Sequence, residues 1–322
     1  MSAMLAMSIL AVVTSKARAP LTYGTLLLLF LVAPMLALAF MLWWDSRRKK
    51  PSLSDAPTAP TAPGWRFSGV LLALVAVAIL YTLPWDNHLI ALRVWWYSPA
   101  RISGVVFGYV PLEEVAFFVL QTLFVGVWFL WLVRHAQPRP QDVAARANYA
   151  LRLLAASVGA CLWALALAAV FSGWRAATYV GWEFIWALPP IIVQLGVGAD
   201  ILWRQRRLLC LAIAPMVLYL CAVDALAIRN GIWTINPQQS LGLLLGGQLP
   251  IEEFFFFLLT TTVVVFGLAL GTSPLLRRRF STLLQRARLA TALRLPWLPG
   301  FPFWQRATAL SARFRQRSLL RR

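Results

Sequence analysis

"PLEEVAFFVLQTL", residues 111–123, and "PIEEFFFFLLTTT", residues 250–262, are nearly the same phrase written twice. Each sets two adjacent glutamates at the head of a long apolar run, where a charge is costly. The chain has only 11 acidic residues among 322, and these two phrases hold four of them. A proline followed by acids is an ordinary helix start, since the positive end of the helix dipole favours a carboxylate. Two such starts in matching surroundings ask for more than capping.

Outward from these phrases the chain stays apolar: 60% of residues are hydrophobic and mean hydropathy is +0.71. Soluble domains are about 45–50% apolar, so the composition is that of a membrane protein. A helix needs about 20 apolar residues to cross the hydrocarbon core. Seven runs qualify, at roughly 21–44, 68–85, 109–132, 151–172, 178–203, 208–228 and 245–270. They predict an all-α polytopic membrane bundle of seven transmembrane helices. Cys161, Cys210 and Cys221 lie inside the runs with no paired spacing, and His88 and His135 stand far apart. Neither a disulfide framework nor a metal site is expected. No G-x-G-x-x-G follows a strand pattern, so no bound dinucleotide or other cofactor is expected.

Residues 1–20 lack a positive n-region, with Lys16 and Arg18 following the apolar stretch, and read as a lead-in rather than a cleaved signal. Residues 49–64, rich in Pro, Ala and Thr, read as a linker. Arginine and lysine concentrate in alternate loops: Arg47 to Lys50 with Arg66, then Arg134 to Arg152, then Arg204 to Arg207. The positive-inside rule places those loops and the C-terminus in the cytoplasm, and the N-terminus outside. The segment 271–322, with 12 arginines from Arg277 onward interleaved with aromatics, reads as a basic cytoplasmic tail lying on an anionic leaflet. Nucleic acid is not an expected partner of this +19 chain, because the charge sits at the membrane ends.

The repetition extends beyond the two phrases. A shift of 138 residues aligns Tyr81 with Tyr219, Asp86 with Asp224 and Trp95 with Trp233. A shift of 139 aligns the glutamate pairs and the Phe pairs behind them, and a shift of 156 aligns Tyr23 with Tyr179 and Pro34 with Pro190. Helices 1–3 (21–132) and 5–7 (178–270) are therefore expected to be three-helix repeats, joined by a loop and an unpaired fourth helix in 133–177. One spare crossing makes the repeats parallel. Glu113, Glu114, Glu252 and Glu253 then sit at one depth, with Asp86 and Asp224 at or near the ends of helices 2 and 6. Glu183 is a further candidate for that layer.

Helical spacing separates the neighbours. From Glu114 the i+3, i+4 and i+7 face holds Phe117, Phe118 and Gln121; from Glu253 it holds Phe256, Phe257 and Thr260. That face is aromatic with one polar spot, as a cavity wall would be. Glu114 and Glu253 are the expected chemical pair, with Glu113 and Glu252 tuning them. Carboxyls crowded in a low dielectric resist joint ionisation, which leaves a proton donor beside an acceptor. Aromatic faces can hold a passing cation. Such a site suits protonation of a polyene dissolved in the bilayer.

With "PWDN" at 84–87, "WWY" at 95–97, "PLEE" running on to Gln121 and "PIEEFFFF" to Phe257, the chain resembles the integral-membrane lycopene cyclases of the heterodimeric type, with both repeats in one chain. The resemblance implies lycopene β-cyclase activity, closing ψ end groups to β-ionone rings without net redox. It implies lycopene and related carotenoids as ligands, beside membrane lipids and other enzymes of the carotenoid pathway. It also implies roles for Asp86, Glu113, Glu114, Glu252, Glu253 and Asp224, and substrate contact by Trp95, Trp96 and Trp233. Val115, Ala116 and Thr261 depart from the family's usual residues and bear on pocket shape. A proton-coupled transporter or another prenyl-lipid binder is the rival reading, though few Gly or Pro residues beyond Pro34 and Pro189–Pro190 break the spans. A retinal protein is excluded, because Lys16, Lys49 and Lys50 all lie outside the spans.

Overall fold

A computed structural model describes residues 21–48, 64–135 and 147–294. The lead-in 1–20, the linker 49–63 and the tail beyond 294 fall outside the described residues. Among the described residues seven helices are long and apolar enough to cross a membrane: α1 (Tyr23–Arg48), α2 (Gly64–Ala91), α3 (Leu112–His135), α4 (Tyr149–Phe171), α5 (Thr178–Arg204), α6 (Arg206–Arg229) and α7 (Ile251–Gly271). The protein is a multi-pass, all-α membrane bundle.

Three short antiparallel ribbons join the helices on one side. Strands β1 (Trp95–Tyr97) and β4 (Trp233–Ile235) pair with each other, while β2 (Val106–Phe107) pairs with β3 (Val110–Pro111) and β5 (Leu244–Leu245) with β6 (Leu249–Pro250). The last two ribbons correct the expected spans 109–132 and 245–270. Residues 109–111 and most of 245–250 are apolar, but they belong to hairpins, and the helices begin at Leu112 and Ile251. Hydropathy cannot see the turn; glycine can. Gly108 has φ 71°, as does Gly247, a backbone region that glycine enters at little cost. Pro250 accordingly takes the N-cap position rather than the first helical turn. The second span, expected at 68–85, runs on to Ala91, so Asp86 lies inside α2, five residues from its end. Pro84 and Pro215 add to the prolines inside spans.

Helices α3 and α7 touch at the centre, and each gathers neighbours from both ends of the chain. Helix α3 packs on α1, α2 and α6; α7 packs on α5, α6 and α2. Exchanging helices 1–3 for 5–7 turns one list into the other. Helix α4 has no counterpart and packs on α5, with Arg152 Nε binding Asp200 Oδ1 at 2.7 Å. Gly198 of α5 lets Leu270 of α7 approach to where a Cβ would stand. A separate unit holds α8 (Pro274–Arg294), opened by Ser273 Oγ accepting from the Leu276 N–H at 3.3 Å.

Candidate active site

A cavity lies where the starts of α3 and α7 meet the β1–β4 ribbon. Four carboxyls face it: Asp86 from α2, Glu114 from α3, Asp224 from α6 and Glu253 from α7. All four are buried. Both helices therefore begin on the same side of the bundle. Each glutamate is held by a tyrosine from the first turn of another helix. Tyr23 Oη of α1 donates to Glu114 Oε2 at 2.6 Å, and Tyr179 Oη of α5 donates to Glu253 Oε1 at 2.8 Å.

The walls are aromatic and cross between the two ends of the chain. Tyr23 packs on Trp233 at 5.1 Å, while Tyr179 packs on Trp95 at 5.3 Å. The ribbon pairs Trp95 with Ile235 and Tyr97 with Trp233, and those four side chains line the cavity. Trp96, paired with Thr234 between them, points to the opposite face, since alternate strand residues do. Trp96 is not among the side chains that line the cavity.

The two ends of the chain differ in the donors they bring to the glutamates. Tyr97 Oη also donates to Glu114 Oε2, at 2.8 Å, and itself accepts from Trp95 Nε1 at 3.2 Å. Burial, and then the negative charge of Glu114, pushes the Tyr97 phenol well above its ordinary value, so it stays a donor. The position related to Tyr97 by the 138-residue shift is Ile235, which has no proton to give.

Glu113 and Glu252 do other work. Glu113 Oε1 accepts from the Ser103 N–H at 2.5 Å, and Glu252 Oε1 from the Leu241 N–H at 2.6 Å. Both tie the incoming hairpin loop to the helix start, and neither lines the cavity. Phe117, Phe256 and Phe257 line it; Phe118, Gln121 and Thr260 line a neighbouring one. Glu183 is fully buried, with neither carboxyl oxygen bonded. Among the described residues no three His, Cys, Asp or Glu side chains gather closely enough to hold a metal ion.

Tyr23, Tyr97, Tyr179 and Trp85 are cavity residues that the sequence did not nominate. Tyr23 and Tyr179 were visible as an aligned pair, but a tyrosine at the edge of a span ordinarily marks the membrane interface. Chemically, four carboxyls without a lysine or arginine among them, inside aromatic walls, can give and take protons around a cationic hydrocarbon.

The lycopene cyclase family profile matches residues 60–132 and 176–270, which carry all four of these carboxyls. A lycopene beta-cyclase of Halobacterium salinarum is 38% identical over 185 residues, 58% of this chain and 73% of that protein. Bifunctional lycopene cyclase/phytoene synthases are similar over about a third of their own length. That of Phycomyces blakesleeanus is 31% identical over 199 residues, covering 59% of this chain and 31% of its own. That of Phaeosphaeria nodorum is 37% identical over 213 residues, covering 61% and 34%. No solved structure matches. With its matched segments supplying both the paired carboxyls and the helices that present them, the chain belongs to the lycopene cyclase family.

Proposed function

We propose that the protein is a lycopene β-cyclase that closes ψ end groups of lycopene to β-ionone rings by proton transfer within the carboxylate cavity. The observation that carries the mechanism is the meeting of Asp86, Glu114, Asp224 and Glu253 in one aromatic-walled cavity. An acid protonates C2 of the end group. The C5=C6 double bond attacks the resulting C1 cation, forming the C1–C6 bond and moving the positive charge to C5. A base then removes the C6 proton, leaving the C5=C6 double bond of the ring. One proton enters and one leaves, so the product is an isomer.

Glu253 is the acid in this reading and Glu114 the base. Glu114 accepts two phenol hydrogen bonds on one oxygen, an arrangement suited to an anion, whereas Glu253 accepts one. Asp86 and Asp224 each have a buried Oδ2 without a partner, and in this reading they return the proton from Glu114 to Glu253. Trp85, Trp95, Phe117 and Phe256 offer ring faces to the cation, each worth about 0.5–2 kcal/mol when desolvated.

Within this reading 21–132 and 178–270 are parallel repeats, 133–177 connects them, and 271–322 is a basic tail. The protein sits in the cell membrane with its C-terminus in the cytoplasm, among lipids and other enzymes of the pathway. The deciding experiment expresses the chain in a host that accumulates lycopene. γ-Carotene or β-carotene is expected, absent with Glu253→Gln. In isolated membranes in deuterated water, each new ring should carry one deuterium at C2. Ring closure without deuterium defeats the acid–base mechanism, and persistent lycopene beside correctly inserted protein defeats the assignment.

A further inference from the structure

Two more cavities lie in the bundle, and they correspond at several positions. One is lined by Val77, Ala78 and Tyr81 of α2, Trp186 and Pro190 of α5, and Phe256 of α7. The other is lined by Pro215, Met216 and Tyr219 of α6, Pro34 of α1 and Phe124 of α3. The 138-residue shift carries Val77, Ala78 and Tyr81 onto Pro215, Met216 and Tyr219, and the 156-residue shift carries Pro34 onto Pro190. Even the anchoring bond recurs. Tyr81 Oη donates to the Trp186 carbonyl at 2.9 Å, and Tyr219 Oη to the Phe30 carbonyl at 2.6 Å, with Phe30 and Trp186 related by the same 156 residues.

The two differ in their link to the carboxyls. Phe256 lines both the carboxylate cavity and the α2–α5 cavity, whereas the α1–α6 cavity shares no lining residue with the former. Phe256 belongs to a stack of three rings that runs through the partition. Trp85 and Trp186 lie 4.5 Å apart at 18°, and Phe256 lies 6.3 Å from each, at 4° and 16°. Val223 stands at the position matching Trp85, so the other side cannot build that stack.

We propose that the α2–α5 cavity binds the conjugated chain of the polyene while its end group occupies the carboxylate cavity, and that the Trp85–Trp186–Phe256 stack is the flat surface along which the first double bonds pass. The proposal rests on the cyclisation reading. A carotenoid is much longer than one end group, so its chain must leave the carboxylate cavity through a wall, and the shared Phe256 marks which one. The cavity suits a hydrocarbon because polar groups in its wall bond within the protein: Gln121 Nε2 with Thr260 Oγ at 2.9 Å, and Thr122 Oγ with the Phe118 carbonyl at 2.8 Å. An apolar occupant therefore strips no hydrogen bond from the wall. It also reaches the lipid-facing surface, for Val77 and Tyr81 are 50% and 42% exposed. Tyr81 and Trp186 brace that edge reciprocally, since Trp186 Nε1 donates back to the Tyr81 carbonyl at 3.3 Å.

The test compares Ala78→Trp with its counterpart Met216→Trp, in membranes, on two substrates. One is lycopene; the other is a shortened polyene bearing one ψ end group and only the first few double bonds. Ala78→Trp should raise KM for lycopene at least about tenfold, the loss of about 1.4 kcal/mol of binding, with kcat/KM for the short substrate within about twofold of wild type. Met216→Trp should leave both substrates within about twofold, since both limits are far below that energy. Val77→Trp, entering the same cavity from its exposed edge, must repeat the selective loss; if both α2 variants lose both substrates equally, the proposal falls. It also falls if lycopene turnover survives Ala78→Trp unchanged, or if Met216→Trp is the more damaging. Failure of the wild-type protein to cyclise either substrate would instead overturn the cyclisation reading itself.

Discussion

Gln121 Nε2 donates to Thr260 Oγ at 2.9 Å, and the two residues hold the same station on α3 and α7, each seven positions after a cavity glutamate. The bond thus crosses the contact between the two central helices. Thr260 Oγ in turn bonds the Phe256 carbonyl of its own helix at 2.8 Å. Hydrogen bonds between transmembrane helices average about 0.6 kcal/mol in double-mutant cycles. Gln121→Leu and Thr260→Val should therefore show a coupling of about that size in thermal unfolding of the detergent-solubilised protein. Strict additivity would mean the bond carries nothing between the halves.

The glutamates should separate by helix face. Glu114→Gln and Glu253→Gln are each expected to lower turnover at least about a hundredfold, the scale of a positioned acid or base. Glu113→Gln and Glu252→Gln should cost less, and the cost should appear as reduced stability, because their carboxyls bond the Ser103 and Leu241 N–H groups. Tyr97→Phe removes one of two donors to Glu114, and a fall in kcat of about tenfold with little change in KM is expected from one charge-assisted bond. Equal kinetic losses at all four glutamates would remove the division of labour.

Gly108 and Gly104 provide a controlled pair. Both have positive φ, but a Cβ on Gly108 would stand 2.2 Å from Asn87 Oδ1, whereas none of the neighbours of Gly104 lies within 4 Å. That Asn87 oxygen accepts from the Tyr109 N–H at 2.7 Å, holding the hairpin to α2. Gly104→Ala should cost about 1 kcal/mol for conformation alone, and Gly108→Ala distinctly more. Comparable melting temperatures for the two would show that the Asn87 contact yields freely.

Orientation is open to a direct check. Reporter fusions after residue 140 and after residue 290 should both report cytoplasm, as the arginine-rich loops require. An outside signal from either would reverse the placement of the carboxylate cavity relative to the cytoplasm.

Much of this was legible in the chain itself. Seven apolar runs gave the seven helices because membrane spans are set by length and hydropathy. Glu114 and Glu253 could be singled out because the phrase occurs twice and helical spacing separates adjacent residues. The hairpins before α3 and α7 were not legible, since their strands are two residues long and apolar. Nor was the strand at "WWY", which turns Trp95 and Tyr97 to one face and Trp96 to the other. Tyr97 was hidden for another reason: its contact with Glu114 arises only after the ribbon folds back over the start of α3.

The β1–β4 ribbon has a further effect on which length changes the chain can bear. Its pairing is centred on Trp96 and Thr234, with Trp95 opposite Ile235 and Tyr97 opposite Trp233. Strand side chains alternate, so deleting one residue from either strand would turn the inward set outward. Trp95 and Tyr97 would then face away, and Glu114 would lose a donor. The ribbon is in that sense a ruler, tolerant of substitution on its outer face but of no insertion or deletion. The loops on either side can drift in length over generations, while the three residues of each strand cannot.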